Sequence, residues 1–206
     1  MARTPWRGGD LPLLKPQDVV VLLKIVARGP VPWSYGQLAW ELGMSASEVH
    51  AGVRRAAEAG LLRVDGGWGV PDAAALDEFL VHGVRYVWAV VPGESLVLGM
   101  PTGAAAAPLA EVLPARGEAP LVWPDPEGGT RGVPIEPLYR CVPVAAKRDP
   151  VLHELLALVD GIRTGPDRVR EVAVRHLRRR LGTAGEGVLS RVGGAGRTAA
   201  SARGRA

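Results

Sequence analysis

The first third of the chain places apolar residues at helical spacing. A first helix begins at Lys15, carries Pro16 in its first turn and is stopped by Gly29-Pro30. Its apolar residues recur at i, i+3, i+4 and i+7, which is typical of an amphipathic helix: Val19, Leu22, Leu23 and Val26. The pattern therefore predicts a helix that turns one face toward a core.

Two further helices follow, and each has a start signal. Ser34 with Gln37, and Ser45 with Glu48, have the spacing of capping boxes, in which each side chain satisfies a backbone N–H. Gly43 between them is suited to the left-handed conformation that ends a helix. The third helix places three apolar residues on one side: Val49, Val53 and Ala56.

A hairpin and a fourth helix complete this region. The stretch "LLRVDGGWGV", residues 61–70, predicts two short strands around an Asp-Gly turn. "PDAAALDEFLVHG", residues 71–83, predicts a helix capped by Asp72. We therefore expect a flexible arm over residues 1–14 and a first domain over residues 15–83.

The rest of the chain changes character twice. Residues 84–147 are rich in proline and contain short apolar runs, which predicts short strands and loops. Residues 148–182 predict a helical pair, one helix from Asp149 and a second from Asp167 to Leu181. Residues 183–206 consist mostly of Gly, Ala, Ser and Arg, so we expect a disordered tail.

The run "YGQLAWELGMSASEVHAGVRRAAEAGLLRVDGGWGV", residues 35–70, resembles the winged helix-turn-helix of MarR-type bacterial regulators. The positions that match are Leu38, Ala39, Leu42, Gly43, Ser45, Val49, Val53, Gly60 and Leu61. The C-terminal region does not resemble the dimerisation helices of that family. The expected fold is α+β: an N-terminal winged helix-turn-helix, a Pro/Gly-rich region of short strands and loops, and a C-terminal helical hairpin.

The resemblance implies that the third helix enters the major groove of DNA while the hairpin touches the flanking backbone. The expected contacts come from all three elements: Ser34, Tyr35, Gln37, Ser45, Ser47, His50, Arg54, Arg55, Arg63 and Trp68. Structural roles compete with several of these assignments. Capping would explain Ser45, a solvent-facing position would explain His50, ordinary surface charge would explain both arginines of the third helix, and packing against the first helix would explain Trp68.

The charge of the chain is unevenly placed. The net charge is +4, yet residues 163–206 alone hold 11 arginines and 3 acidic residues, a net of +8. Residues 1–72 hold 8 basic and 7 acidic residues, a net of +1. Because counterion release scales with the phosphates neutralised, this unit alone should bind DNA weakly. A second copy or the arginine-rich end would have to add affinity.

Residue patterns of enzymes and metal sites are missing from the sequence. Its four histidines and single cysteine, Cys141, lack zinc spacing, and no nucleotide-binding or nucleophile motif occurs. We therefore expect no enzyme activity, no cofactor and no metal. The N-terminus lacks a signal-peptide pattern and no apolar run has transmembrane length, so we expect a cytoplasmic protein without membrane contact.

Three functions remain open. The first is a sequence-specific DNA-binding repressor, a homodimer on a palindromic site. The alternative is a protein-interaction subunit, such as an antitoxin or defence-operon partner, whose partner is encoded nearby. A third is a ligand sensor whose pocket is lined by aromatic residues that could equally be ordinary core: Tyr86, Trp88, Trp123 and Tyr139.

Overall fold

The computed structural model describes residues 13–65, 68–114 and 117–195, with only the backbone described at residues 64–65 and 183–195. Helices account for 57% of the structure, and two small sheets of two and three strands complete it, which makes it an α+β protein. Among the described helices, none combines the length and apolarity needed to cross a membrane.

The predicted N-terminal elements are confirmed. Three helices and an antiparallel hairpin follow one another: α1 (Pro16–Arg28), α2 (Tyr35–Leu42), α3 (Ala46–Glu58), β1 (Leu62–Asp65) and β2 (Trp68–Pro71). Leu62 faces Pro71 and Asp65 faces Trp68 in the hairpin register. The predicted turn at residues 66–67 and the arm at residues 1–12 lie outside the described residues.

Both predicted capping boxes form. The Gln37 and Glu48 backbone N–H groups donate to the hydroxyls of Ser34 and Ser45, each over 3.2 Å. In return, Gln37 Oε1 accepts from the Ser34 N–H at 3.0 Å, and Glu48 Oε2 accepts from the Ser45 N–H at 2.9 Å. Gly43 ends α2 in the left-handed region, at φ 66° and ψ 34°. Local sequence thus determines where α2 and α3 begin and where α2 ends.

The remaining elements alternate short helices with short strands before two long helices. The predicted fourth helix forms with Asp72 as its cap and continues past Gly83. The elements in order are α4 (Ala73–Glu78), a π-helical segment (Phe79–Gly83), α5 (Val84–Val87), β3 (Val97–Pro101), a 3₁₀ turn (Gly103–Ala105), α6 (Leu109–Val112), β4 (Leu121–Pro124), β5 (Thr130–Pro134), α7 (Val142–Arg148), α8 (Pro150–Thr164) and α9 (Asp167–Ala195).

Strands β3, β4 and β5 form a closed unit that the sequence did not predict. β3 pairs antiparallel with both neighbours, and β4 pairs parallel with β5. Closure brings backbones so close that a Cβ on Gly99 would lie 2.3 Å from the Trp123 carbonyl oxygen. A Cβ on Gly132 would lie 2.2 Å from the Pro120 carbonyl oxygen. Glycine at these two positions is therefore a condition of the fold.

Helix α9 is longer than predicted. It continues past Leu181 to Ala195, so residues 183–195 are helical where we expected disorder. Gly182 does not adopt a positive φ, and hence does not stop the helix as a left-handed cap would. The segment that follows contains no proline and includes good helix formers such as Ala, Leu and Arg. The rest of the predicted tail, residues 196–206, lies outside the described residues.

Helix α1 is buried on every side, which corrects the amphipathic prediction. Nine consecutive residues, 18–26, are buried, because α1 packs against α2, α3 and β2 and also against α8 and α9. Val20, Val21 and Ile25, which lie outside the predicted apolar stripe, are therefore buried in the core as well. One hydrophobic cluster extends from α1 to Leu181 and joins the predicted N-terminal and C-terminal regions.

Lys24 of α1 is buried between two acidic partners. Lys24 Nζ lies 2.8 Å from Glu41 Oε2 and 2.7 Å from Asp149 Oδ2. Burial raises the pKa of the Glu41 and Asp149 carboxyl groups. Hydrogen bonds from Lys24, and for Glu41 also from Arg28, lower it by more than burial raises it, so the pKa of each lies below its ordinary value. The ion pairs join α1 to α2 and to the start of α8.

Candidate nucleic-acid interface

Helix α3 divides into a buried face and an exposed face. Val49, Val53 and Ala56 are buried, together with Gly52, where a Cβ would meet Asp18 Oδ1 at 3.0 Å. The opposite face is exposed in the described structure and is mostly polar: Ser45, Ser47, His50, Arg54 and Glu58. Ser47, His50 and Arg54 follow one another at i, i+3 and i+7, so they share one line along the helix.

An aromatic chain connects this face to α2 and to the hairpin. The Tyr35 ring lies 5.0 Å from the His50 ring, and the Trp33 ring lies 5.5 Å from that of Tyr35. Trp33 is buried and its indole N–H donates to the Gly69 carbonyl over 3.0 Å. Trp33 was not named among the candidates from the sequence, although an apolar residue just before a helix cap often packs against the first turns of that helix. It fixes how α2, α3 and β2 lie together.

The polar candidates at the helix starts are occupied by local hydrogen bonds. Ser34 and Gln37 are exposed and satisfy each other's backbone N–H groups. The Ser45 hydroxyl donates to Glu48 Oε2 over 2.8 Å and lies 3.1 Å from the Ser47 hydroxyl. These side chains hold the helix ends in place, and their exposed atoms remain on the same surface as His50.

Two exposed arginines among the candidates stand beside acidic groups. Arg54, with 65% of its side chain exposed, lies 3.9 Å from Glu58 Oε1 on the next helical turn. Arg63 lies 3.4 Å from Asp72 Oδ2 at the base of the hairpin. Such exposed pairs are weak and open readily, so both guanidinium groups remain available. Trp68 is half-buried and packs against the hydrophobic core, as the packing alternative predicts.

Arg55 points to the interior rather than to the exposed face. Its Nε and Nη2 donate to the two oxygens of the fully buried Asp18 over 2.8 and 2.6 Å. Only 12% of the Arg55 side chain is exposed, and the hydrogen bonds to Asp18 raise the pKa of the guanidinium. This ion pair joins α1 to α3 and accounts for Arg55 without DNA.

Glu48 has partners from the second half of the chain that sequence spacing did not indicate. The Tyr139 hydroxyl donates to Glu48 Oε1 over 2.8 Å, and Arg140 Nη2 lies 3.3 Å from the same oxygen. Hydrogen bonds from the Ser45 backbone, the Ser45 side chain and Tyr139 lower the pKa of Glu48 to about 2. Because 78% of the Arg140 side chain is exposed, it adds a cation beside the start of α3.

Arg148 adds a second cation from the C-terminal half. It donates to the Trp40 carbonyl over 2.9 Å, and its guanidinium lies 5.7 Å from the centre of the Trp40 ring. Trp40 itself is 74% exposed on α2. More than a hundred positions of sequence separate these two residues, so local patterns gave no indication of their contact.

The aromatic residues proposed to line a sensor pocket lie in different surroundings. Trp123 is buried and, like Thr102, donates to Asp160 Oδ2, over 2.7 Å, while Arg163 donates to Asp160 Oδ1. Tyr86 is exposed, and Tyr139 is bound to Glu48 at α3. The Trp88 ring packs on Phe79 at 5.6 Å. The ordinary-core alternative thus fits Trp123, and the four residues do not share one pocket.

The single cysteine and the possible metal ligands show no arrangement typical of a reactive site in the described structure. Burial raises the pKa of the Cys141 thiol to about 11, so it is a neutral thiol near neutral pH. Within the described ranges, no three His, Cys, Asp or Glu side chains come together as metal ligands would.

No protein-family model, curated protein or solved structure matches this chain significantly.

Proposed function

We propose that this protein is a sequence-specific DNA-binding transcriptional regulator, a repressor that acts as a homodimer. Residues 15–83 serve as a winged helix-turn-helix, with α3 as the recognition helix and the β1–β2 hairpin as the wing. The observation that carries the proposal is the exposed polar line of α3, formed by Ser47, His50 and Arg54 beside the start of α2.

The dimensions and chemistry of this face suit a major groove. The groove is about 12 Å wide and admits one α-helix with its side chains. Ser47 and His50 lie in the N-terminal half of α3, where recognition helices usually meet base edges. Arg54, released from Glu58, donates to a guanine or to a phosphate.

Phosphate contacts come from cations that surround α3. Arg63 lies on the hairpin, while Arg140 and Arg148 reach α3 and α2 from the C-terminal half. Each has a weak partner that a phosphate replaces with a charge-assisted bond. Residues 1–72 have a net charge of only +1, so two copies on a palindromic site double the small number of contacts made by each.

The test is a fluorescence anisotropy titration of a duplex taken from upstream of the gene, at about 50 mM salt, where phosphate contacts are strong. We expect the variant S47A/H50A/R54A to lose at least about tenfold in affinity, because it lacks three side chains that face the groove. The control is R131A, which removes an exposed arginine on β5, in the three-stranded unit. A wild-type protein that does not bind, or equal affinities for both variants, contradicts the proposal.

Exposed apolar side chains favour the second candidate, a protein-interaction subunit. Trp40 on α2 and a separate stretch containing Tyr86, Val87 and Val91 are exposed although large and apolar. Tryptophan and tyrosine are enriched where proteins meet. Light scattering on the purified protein distinguishes the candidates. A two-chain mass on the upstream duplex supports the regulator, whereas a stable complex with the product of a neighbouring gene and no DNA binding supports the interaction subunit.

A further inference from the structure

A basic groove lies between the π-helical segment (Phe79–Gly83) and α9, remote in sequence from α3. It is lined by four arginines, one histidine, one acidic residue and two valines: Arg170, Arg175, Arg178, Arg179, His82, Glu171, Val81 and Val174. We refer to it as the α9 groove. Four arginines thus stand beside one acidic lining residue, and Arg170 and Arg178 also pair with Asp167 and Asp77 outside the lining.

The arginines of the α9 groove are spread along α9 and around about half of its circumference, since successive residues are rotated by about 100°. From Arg170 to Arg179 the helix rises about 13 Å, at roughly 1.5 Å per residue. One strand of duplex DNA carries a phosphate about every 3.4 Å of axis, so this length spans about four phosphates. A linear polyanion matches such an array better than an isolated phosphate does.

The present partners of these arginines leave capacity for an anion. Arg178 donates to Asp77 over 3.0 Å, which holds α9 against α4. Arg170 donates to Asp167, one turn earlier on the same exposed helix start. Arg175 is exposed, and none of the described carboxylates forms an ion pair with it. Arg170 and Arg175 are therefore the groove residues best placed to exchange water or a weak partner for phosphate oxygens.

We propose that the α9 groove binds the phosphate backbone of duplex DNA without regard to base sequence. The inference rests on the proposed function and adds to it a division of labour: α3 selects the sequence, and the α9 groove supplies affinity. The placement of charge supports this, since residues 163–206 have a net charge of +8 while residues 1–72 have +1. Phosphate contacts supply most of the affinity of non-specific DNA binding.

The test measures the association constant for a random-sequence duplex at several salt concentrations, with the full chain. R170Q/R175Q should make the negative slope of log affinity against log salt shallower by about 1.8, since each lost phosphate contact removes about 0.9 from its magnitude. The control, R131Q/R168Q, removes two exposed arginines outside the groove and should leave the slope unchanged. Circular dichroism of both variants verifies that the fold is kept.

The outcomes separate this inference from the proposed function. If both double variants keep the wild-type slope while wild-type protein binds the upstream duplex, the groove inference is overturned and the regulator stands. If wild-type protein binds no duplex at about 50 mM salt, both are overturned. If poly-glutamate competes for the groove as well as the random duplex does, an acidic polypeptide is the partner and the DNA assignment falls.

Discussion

Glu48 joins the candidate recognition helix to the second half of the chain. Its carboxylate accepts hydrogen bonds from the Ser45 backbone and hydroxyl and from the Tyr139 hydroxyl, and Arg140 stands beside it. A cap that serves only its own helix needs none of the distant donors. The same side chain therefore starts α3 and fixes its position relative to the segment that precedes α7.

Glu48→Gln should lower the free energy of unfolding at pH 7 and lose this effect in acid. The pKa of Glu48 falls from 4.5 to about 2 on folding, so its stabilisation is complete above about pH 4.5 and disappears as the pH falls through about 2. Urea unfolding between pH 7 and pH 3 measures the difference from wild type. Glu136→Gln, at an exposed site, is the control. A difference that stays constant down to pH 3 refutes the assigned role.

Asp18→Asn should cost about 3–5 kcal/mol of stability, because it leaves the Arg55 guanidinium in the interior without its charged partner. Asp167→Asn breaks a comparable pair with Arg170 at an exposed helix start and should cost less than about 1 kcal/mol. Chemical denaturation of both variants provides the comparison. Equal losses would mean that the Asp18–Arg55 pair is no more than a surface contact.

Helices α1 to α3 and the hairpin were predictable because their signals are local. Capping pairs, Gly43 and apolar spacing each act within a few residues, and all of them recur in the structure. The closure of β3, β4 and β5 was not predictable, since it depends on strands paired across more than twenty residues of chain. The end of α9 was placed too early because Gly182 has the residue type of a stop but not its conformation.

Gly99→Ala should disrupt the closed three-stranded unit. The added Cβ would lie 2.3 Å from the Trp123 carbonyl oxygen, a backbone atom that cannot move without breaking the β3–β4 pairing. We expect a loss of about 1–3 kcal/mol or more, the usual cost of overpacking. Gly129→Ala is the matched control, because nothing lies within 4 Å of its added Cβ. Thermal unfolding of both variants measures the difference, and equal unfolding midpoints would contradict the close packing of β3 against β4.

Helix α1 is shared by the two halves of the molecule. It packs on α2 and α3 on one side and on α8 and α9 on the other, within one continuous core. The stripe along α1 was predictable, but the burial of its second face was not, because the helices that cover it lie more than 120 residues later. For the same reason the contacts of Arg140 and Arg148 with the candidate interface had no counterpart in local sequence.

A fragment of residues 1–83 should fail to fold cooperatively. Without α8 and α9, one face of α1 is exposed to water, and Lys24 loses Asp149 as a partner. Exposing several large apolar side chains costs about 1.5–3 kcal/mol each, which approaches the whole stability of a small domain. Urea unfolding followed by circular dichroism measures this, with the full chain as the control. A steep, cooperative transition in the fragment would contradict a shared core.

The proposed function assigns two roles to the molecule. The exposed face of α3 selects bases, and the surrounding cations add affinity by binding phosphates. Selection of duplexes from a randomised pool tests this division. We predict that the wild-type protein enriches one motif, repeated as a palindrome for a homodimer, and that S47A/H50A/R54A enriches none. A wild-type protein that enriches no motif, or a variant that enriches the same motif as wild type, would contradict the assignment of α3 as the reading helix.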